Sequence, residues 1–227
     1  MSYFNTNNIM HISYFNNGFF EHKKPEFIIH SPKIASRYIA SASDFTLYFD
    51  FDNKSIIESK MYDDTVSGYS SEIKKFLLHN PYTTTMYGIV REPKERLRTA
   101  ISEICFKYNN NSTLEDSVKK LLRVHRYDIH LNHHHLLLYN TIRYLDESLI
   151  PKRWNEPIFI KDISELRNNE SQNLITNKVH FPKVEKLLNH INTNLYNSDI
   201  YNWINDYIKK ETYYYTALKE LNPELYT

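Results

Sequence analysis

The sequence TTMYGIVREPKERLRTAISEIC, residues 84–105, joins a short apolar run directly to an amphipathic one. The run over 84–90 predicts a buried strand. Pro93 follows at a position that proline tolerates near the start of a helix, so we expect a helix over 93–108. A strand that leads straight into a helix is the building unit of a parallel sheet, because the helix carries the chain back to the start of the next strand.

The same alternation of strand and helix continues on both sides of this stretch. It predicts an α/β fold with a central, mostly parallel sheet flanked by helices, and a second half that is mainly helical. Ligands of such sheets bind outside the carboxyl ends of the strands. Thr113 and Asp116 resemble a capping pair for a helix that runs to Val124. Further strands are expected at 26–30, 45–51, 56–57 and 157–161, and further helices at 35–43, 70–79, 133–145 and 198–221.

Length and composition limit the class of protein. The chain has 227 residues, which suits one domain. Residues 1–24 are polar and aromatic without a clear period, so we expect an irregular arm there and a single domain over 25–227. The apolar fraction of 41% excludes a disordered chain. A formal net charge of +1 gives no general attraction to nucleic acid or anionic lipid, so any anion site must be local.

The rare residues exclude several classes of protein. The three glycines are not spaced as in a dinucleotide fingerprint or an ATP-binding P-loop. The single cysteine, Cys105, excludes a disulfide or a cysteine zinc site within one chain. No apolar run approaches the roughly 18 residues of a membrane span. The N-terminal segment lacks the basic start and continuous apolar stretch of a signal peptide, so we expect a cytoplasmic location.

The segment HSPKIASRY, residues 30–38, follows a predicted strand and opens a predicted helix. Free backbone N–H groups at the start of a helix attract a phosphate-like group, and the helix dipole adds to this attraction. Ser36 adds a hydroxyl donor and Lys33 adds a mobile ammonium group. The alternative is that Ser31 only caps the helix while Lys33 and Arg37 are solvated.

The segment VREPKERLRT, residues 90–99, has the same context. Arg91 lies at the carboxyl end of the strand, where its guanidinium group can bind a phosphate with two parallel hydrogen bonds. Thr99 lies about two helical turns further along, so a second phosphate contact from the helix is feasible. The alternative is that Arg91 joins surface ion pairs with its charged neighbours Glu92, Glu95, Arg96 and Arg98.

Two anion sites at neighbouring strand ends suit a nucleoside that carries phosphate groups at both ends. Residues 30–39, HSPKIASRYI, resemble the 5′-phosphosulfate loop of sulfotransferases, PKxxS/T, and are closest to the PKTAST form of the heparan sulfate 2-O-sulfotransferase branch. Residues 87–101, YGIVREPKERLRTAI, resemble the 3′-phosphate motif of that family, IVRDPxERLxS. The stretch 173–186 and the helix 200–218 are similar to the cofactor-covering loop and the final helix of carbohydrate sulfotransferases.

The resemblance implies a P-loop-NTPase-like sulfotransferase fold and the sulfuryl donor 3′-phosphoadenosine-5′-phosphosulfate, with no metal. Lys33 would bind the bridging oxygen and the leaving phosphate, while Arg91 and Thr99 would hold the 3′-phosphate. Arg37 stands where the family usually has Thr or Ser, and its larger side chain changes the loop. The complete cofactor-binding set that we expect is Ser31, Lys33, Ala35, Ser36, Arg37, Arg91, Thr99, Asn177 and Lys178.

Transfer to a hydroxyl group also needs a base that removes the proton of the acceptor. The resemblance implies a His or Glu between the two motifs. Glu58 is favoured because it lies in the stretch IIESK, where we expect a strand to end, and His79 is the second candidate. Each is an ordinary surface residue in the alternative interpretation. Asp52, Asp63 and Asp64 lie in the same interval.

The run of three histidines at 133–135 suggests a metal site at first sight. Consecutive residues of a helix point about 100° apart, so the three side chains cannot converge on one ion. His130 and His134 are about one helical turn apart, which is a possible ligand spacing. The resemblance instead implies that these two contact the acceptor, and simple packing is the third interpretation.

The sequence therefore predicts an enzyme that transfers a sulfuryl group to a hydroxyl of a sugar or polysaccharide by in-line displacement. Lys33 is the main electrostatic group of that reaction. A non-catalytic nucleotide-binding module with the same fold is the first alternative. A nucleotide kinase-like enzyme is the second, although the ATP-binding P-loop is absent. The acceptor and the oligomeric state stay open.

Overall fold

The computed structural model describes residues 9–21, 23–31, 39, 41–50, 55–58, 85–108, 111–144, 158–163 and 180–221. The strands are β1 Ile9–Phe15, β2 Glu26–His30, β3 Phe45–Asp50, β4 Ser55–Glu58, β5 Thr85–Val90 and β6 Phe159–Asp162. The helices are α1 Pro93–Cys105, α2 Leu114–Val124, α3 His134–Tyr144, α4 Phe181–Asn194 and α5 Asp199–Glu220, with a 3-10 turn at Ile129–Leu131.

The strands form one six-stranded sheet in the order β4-β3-β1-β2-β5-β6. Strands β2, β5 and β6 are parallel, whereas β1 pairs antiparallel with both β2 and β3, and β4 pairs antiparallel with β3. The α/β class is therefore confirmed. The sheet is mixed: its parallel part is confined to one side, next to the helices that follow β5 and β6 in the chain.

Most of the predicted elements are confirmed within the described residues. The five expected strands are β2 to β6, and the expected helices after residue 90 are α1, α2, α3 and α5. Thr113 caps α2 as predicted, because its hydroxyl oxygen accepts a hydrogen bond from the Asp116 backbone N–H. Helix α4 was not predicted, and the stretch that resembles a covering loop enters this helix at Phe181. The predicted helices at 35–43 and 70–79 lie largely or wholly outside the described residues.

The prediction of an irregular arm over residues 1–24 is wrong for Ile9–Phe15, which form the strand β1. This strand lies between β2 and β3 and is buried on both faces, so the predicted arm and the predicted domain share one sheet. The polar residues His11 and Ser13 interrupt the apolar pattern by which this strand would be recognised in the sequence. Ser13 is fully buried, and its hydroxyl lies 2.8 Å from His30 Nε2 and 2.7 Å from Thr46 Oγ1, so neighbouring strands satisfy it.

The loop between β1 and β2 is held by a buried carboxylate. Glu26 accepts hydrogen bonds from the backbone N–H groups of Phe19, Phe20 and Glu21 at 2.6–2.9 Å. Gly18 takes a positive φ of 74° in this loop, where a Cβ would lie 1.9 Å from a backbone oxygen. Because Glu26 opens β2, it fixes the loop to the start of that strand.

Apolar residues fill both faces of the sheet and the space between the helices. Helix α3 packs on one face through Leu137, Leu138 and Ile142. Phe19 and Phe20 of the first loop pack on the cluster at the other face. A third cluster joins α1, α2, α4 and α5 and contains Cys105, which is buried as a small apolar residue. Among the described helices, none is long and apolar enough to cross a membrane.

Candidate functional site

The carboxyl ends of β2 and β5 lie side by side at one edge of the sheet. The two strands are adjacent and parallel, and the last residues paired between them are Ile29 and Gly88. Ser31 is therefore level with Val90, one strand spacing of about 4.8 Å away. Both predicted anion-binding segments begin at this edge, because one starts at His30 and the other at Val90.

The structure describes some of the predicted site residues and not others. Ser31, Arg91, Thr99, His130 and His134 are described with their side chains, and Glu58 is described by its backbone. The other predicted site residues lie outside the described residues: Lys33, Ala35, Ser36, Arg37, His79, Asn177 and Lys178.

Arg91 and Thr99 both contact Glu95, although Arg91 lies in the turn before α1 begins at Pro93. The Arg91 Nε atom lies 3.5 Å from the Glu95 carboxylate, and the Thr99 hydroxyl donates a hydrogen bond of 2.9 Å to the Glu95 backbone carbonyl. Glu95 and Thr99 are four apart on the helix and lie above one another, and Arg91 reaches Glu95 from the preceding turn, so the three residues form a column. The ion pair of the alternative interpretation exists, but Arg91 is only 7% exposed and is not a solvated surface group.

The first backbone N–H groups of α1 already have a partner. The Glu92 carboxylate accepts hydrogen bonds from the N–H groups of Lys94 at 3.1 Å and of Glu95 at 2.7 Å. A carboxylate at this position also suits the positive end of the helix dipole. An anion bound beside α1 would therefore contact the Arg91 and Thr99 side chains and not these two amides.

His134 connects the ends of the two strands. It is the first residue of α3 and is 0% exposed. Its Nδ1 atom forms a short hydrogen bond with the Ser31 hydroxyl, and its Nε2 atom lies 3.0 Å from the Ile89 carbonyl oxygen. The imidazole ring thus bridges the residue after β2 and the penultimate residue of β5.

These two contacts fix the tautomer of His134. A carbonyl oxygen can only accept, so Nε2 carries the hydrogen and donates it to Ile89. Burial, and then the neighbours His135 and Arg96, hold the pKa of His134 well below its ordinary value, so the ring is neutral at pH 7. Nδ1 of a neutral ring is then an acceptor, and the Ser31 hydroxyl donates to it.

His135 forms a similar contact with Arg91, the first residue after β5. Its Nε2 atom accepts a hydrogen bond of 3.4 Å from the Arg91 backbone N–H. Its Nδ1 atom donates to the Glu211 carboxylate at 2.8 Å, and its backbone N–H lies 3.2 Å and 3.3 Å from the two Glu211 oxygens. Glu211 of α5 therefore caps the first turn of α3 and orients the ring that contacts Arg91.

A buried guanidinium group balances the charge of Glu211. Arg96 is 1% exposed and donates a short hydrogen bond from Nη1 to the Tyr207 hydroxyl, which donates to the Asn132 carbonyl at 3.1 Å. Burial alone would raise the pKa of Glu211, but His135, His133 and Arg96 outweigh it and hold that pKa below its usual range. Glu211 is therefore ionised at pH 7.

A second pair of buried imidazoles lies next to this network on the sheet. His11 of β1 is paired with His30 of β2, and their ring centroids are 5.1 Å apart. Burial lowers the pKa of His11 to about 4. Burial, and then the neighbours His11 and His134, hold the pKa of His30 well below its ordinary value. Both rings are neutral at pH 7.

The predicted acceptor contact of His134 is wrong for a physical reason. The ring is completely buried, and each of its nitrogens already has a protein partner, so no atom is left for an acceptor. His130 is half-buried in the 3-10 turn, where its Nδ1 atom lies 2.8 Å from the Asp128 carboxylate. Ser31, which belongs to the expected cofactor-binding set, donates its hydroxyl hydrogen to His134.

The sheet does not bring the predicted base Glu58 to the strand ends. Glu58 is paired with Leu47, Leu47 with Ile12, and Ile12 with Ile29. It therefore lies three strand spacings from β2, or about 14 Å. Among the described residues, no group of three or more His, Cys, Asp and Glu side chains has a geometry that could hold a metal ion.

The sequence analysis missed Glu211, Arg96, Tyr207 and His135 as parts of this site. Glu211 could have been recognised in the sequence because it interrupts an otherwise apolar stripe along one face of α5. A carboxylate in such a stripe indicates a buried partner, since an unpaired buried charge is costly. The buried residues of this stripe are Ile200, Ile204, Tyr207, Glu211 and Leu218.

A cleft of about 430 Å³ lies away from the strand ends, between the end of α1 and the starts of α2 and α4. None of the predicted site residues lines it. Its walls are formed by Phe106, Asn111, Ser112, Thr113, Leu114, Lys183 and Lys186.

Comparisons with protein-family models, with curated proteins and with solved structures find no match to this chain. The resemblance to sulfotransferases therefore rests on the sequence of the two turns and of the C-terminal stretch alone.

Proposed function

We propose that this protein transfers a sulfuryl group from 3′-phosphoadenosine-5′-phosphosulfate to a hydroxyl group of a sugar or polysaccharide. One observation carries the proposal: the two segments that resemble the 5′-phosphosulfate and 3′-phosphate motifs begin at the ends of adjacent parallel strands. Ligands of α/β sheets bind at such an edge. The resemblance to a P-loop-like sulfotransferase fold belongs to the same proposal.

The 3′-phosphate would bind at the column formed by Arg91, Glu95 and Thr99. Arg91 supplies the cation, and the Thr99 hydroxyl turns from the Glu95 carbonyl toward the phosphate. The Glu95 side chain is about 37% exposed and can move away into solvent when the phosphate enters. Glu95 thus competes with the ligand for Arg91 and weakens its binding.

The reacting end of the cofactor would lie beside the segment after β2. Lys33 would neutralise the charge that develops on the leaving phosphate, and Ser36 would donate to the same group. Sulfuryl transfer resembles phosphoryl transfer in needing the attacking and leaving oxygens in line, so most of the catalysis is positioning and charge stabilisation. Of the two predicted bases, we favour His79, because the β4 backbone places Glu58 three strands from β2.

Thermal unfolding with different nucleotides tests cofactor binding. We expect 3′-phosphoadenosine-5′-phosphate to raise the melting temperature, while ATP and AMP at equal concentration do not. A ligand at 100 times its dissociation constant adds about 2.7 kcal/mol to the free energy of unfolding. Stabilisation by ATP alone would favour the kinase-like alternative, and no stabilisation by any of the three would contradict the proposal.

Product formation then separates an enzyme from a binding module. The protein is incubated with 3′-phosphoadenosine-5′-phosphosulfate and a panel of hydroxylated saccharides, and release of the bisphosphate is measured. We expect release that depends on the saccharide. Tight binding without release on any member of the panel would favour the non-catalytic alternative.

A further inference from the structure

His134 lies where the ladder between β2 and β5 ends. The last backbone pair of these strands is Ile29 with Gly88, and the contacts of His134 with Ser31 and the Ile89 carbonyl lie just beyond it. Side-chain hydrogen bonds thus replace backbone hydrogen bonds at the point where the two strands turn into their separate segments.

We propose that His134 is a positioning residue that sets the distance between the two anion-binding turns. It would thereby determine how strongly the protein prefers a nucleotide with charged groups at both ends over one with a charged group at a single end. This second step rests on the proposed function, whereas the connection between the strand ends does not.

The position of the imidazole ring is set by contacts that are independent of the two turns. Helix α3 packs on the sheet through Leu137, Leu138 and Ile142. The first turn of α3 is held from α5 by Glu211 through the backbone N–H of His135. The helix that carries the ring is therefore held by contacts other than those with Ser31 and Ile89, the two residues that the ring connects.

The direction of the Ser31 hydrogen bond has a consequence for the loop that follows β2. The hydroxyl hydrogen points inward to His134, so Ser31 anchors the start of the loop and is not a donor to the 5′ group. Ser31 and His134 should then act as one unit. Changing either one should have nearly the same effect on nucleotide preference, and changing both should add little.

The test compares three nucleotides on matched variants at a temperature where all are folded. Dissociation constants are measured for 3′-phosphoadenosine-5′-phosphate, adenosine 5′-phosphate and adenosine 3′-phosphate. For His134→Ala we expect the preference for the bisphosphate over either monophosphate to fall about tenfold, with single-ended binding little changed. Ser31→Ala should give a similar fall. The control Leu137→Ala removes a buried side chain of the same helix, so it should lower stability and leave the preference unchanged.

Conservative variants separate the two contacts of the ring. The amide of His134→Asn can take the place of Nδ1 opposite Ser31, and the amide of His134→Gln can take the place of Nε2 opposite Ile89. We expect each to restore part of the preference that alanine loses. If His134→Ala does not fold, these variants and Ser31→Ala carry the same test. Equal preference in wild type and in all of these variants would overturn the positioning role.

Amide hydrogen exchange without ligand distinguishes failure of this inference from failure of the proposed function. We expect His134→Ala to accelerate exchange in 26–31 and 85–91 more than Leu137→Ala does at equal global stability. If wild type shows no preference for the bisphosphate but this acceleration occurs, the proposed function is wrong and the connection between the strands stands. If the acceleration is also absent, both are wrong.

Discussion

The parallel half of the sheet (β2, β5 and β6) and the antiparallel half (β1, β3 and β4) satisfy their buried polar groups differently. In the antiparallel half, Ser13 bonds to groups on neighbouring strands, at 2.8 Å and 2.7 Å. In the parallel half, the strand ends bond to His134 and His135, which α3 supplies. A change in the first half should therefore affect stability alone, whereas a change in the second should also affect ligand binding.

The largest loss of stability in the parallel half is expected when the Glu211 carboxylate, which accepts from His135, is removed. Glu211→Ala leaves Arg96 without its balancing charge and α3 without its cap. Removal of one partner of a buried ion pair typically costs about 3–5 kcal/mol of stability. Urea unfolding measures the loss, and Glu220→Ala, an exposed position of the same helix, is the control. A loss below that of the control would contradict the assigned role of Glu211.

Lys33→Ala tests whether the segment after β2, at the end of the parallel half, takes part in sulfuryl transfer. Loss of one electrostatic donor to the developing charge typically lowers the rate about 10²–10³-fold. We expect that fall in turnover with an unchanged melting temperature. Lys23→Ala, in the exposed loop between β1 and β2, should keep full activity. Wild-type turnover in Lys33→Ala would show that this lysine is not the catalytic group.

The buried histidines of both halves should make stability fall in acid, and His11 represents the antiparallel half. Below pH 6.5 the unfolded chain binds a proton at each histidine, whereas buried His11 binds one only near pH 4. The free energy of unfolding therefore falls as the pH drops from 6.5 to 4, by about 3 kcal/mol for His11 at about 1.4 kcal/mol per unit. His30 and His134 act in the same direction.

Urea unfolding at a series of pH values measures this slope. His11→Phe keeps a ring in the buried position and removes its titration, so it should flatten the profile. His125→Phe changes a half-buried histidine on the helical side of the molecule and serves as the comparison. A profile that is flat between pH 6.5 and 4 in wild type would contradict the prediction.

The smallest expected effect concerns the competition for Arg91. Glu95→Gln removes the carboxylate that lies 3.5 Å from the guanidinium group. Partly exposed ion pairs contribute about 0.2–1 kcal/mol, so the affinity for 3′-phosphoadenosine-5′-phosphate should rise about twofold to fivefold. Isothermal titration measures it, with Glu115→Gln on α2 as the control. A weaker affinity in Glu95→Gln would mean that Glu95 assists binding.

The sequence predicts the parallel half better than the antiparallel half for a physical reason. Strands β2 and β5 are nearly continuous apolar runs next to helix signals, so their local pattern identifies them. In β1, His11 and Ser13 interrupt the pattern, and they are tolerated only because His30 and Thr46 lie opposite. Such compensation comes from other strands and leaves no local signal.

The candidate site shows the same limit. The two turns are recognisable as segments of the sequence, and in the structure Arg91 and Thr99 both contact Glu95. The role of His134 was not predictable, because its partners Ser31 and Ile89 are 103 and 45 residues away in the chain. Glu211 meets His135 across 76 residues. Contacts of this range depend on the packing of α3 and α5 against the sheet.

Strand β1 matters for anyone who wishes to shorten the chain. A version that starts at Pro25 would lack the middle strand of the sheet, and β2 and β3 would each present an open edge of unpaired backbone groups. Open edges of this kind recruit other chains, so the shortened protein should aggregate on expression.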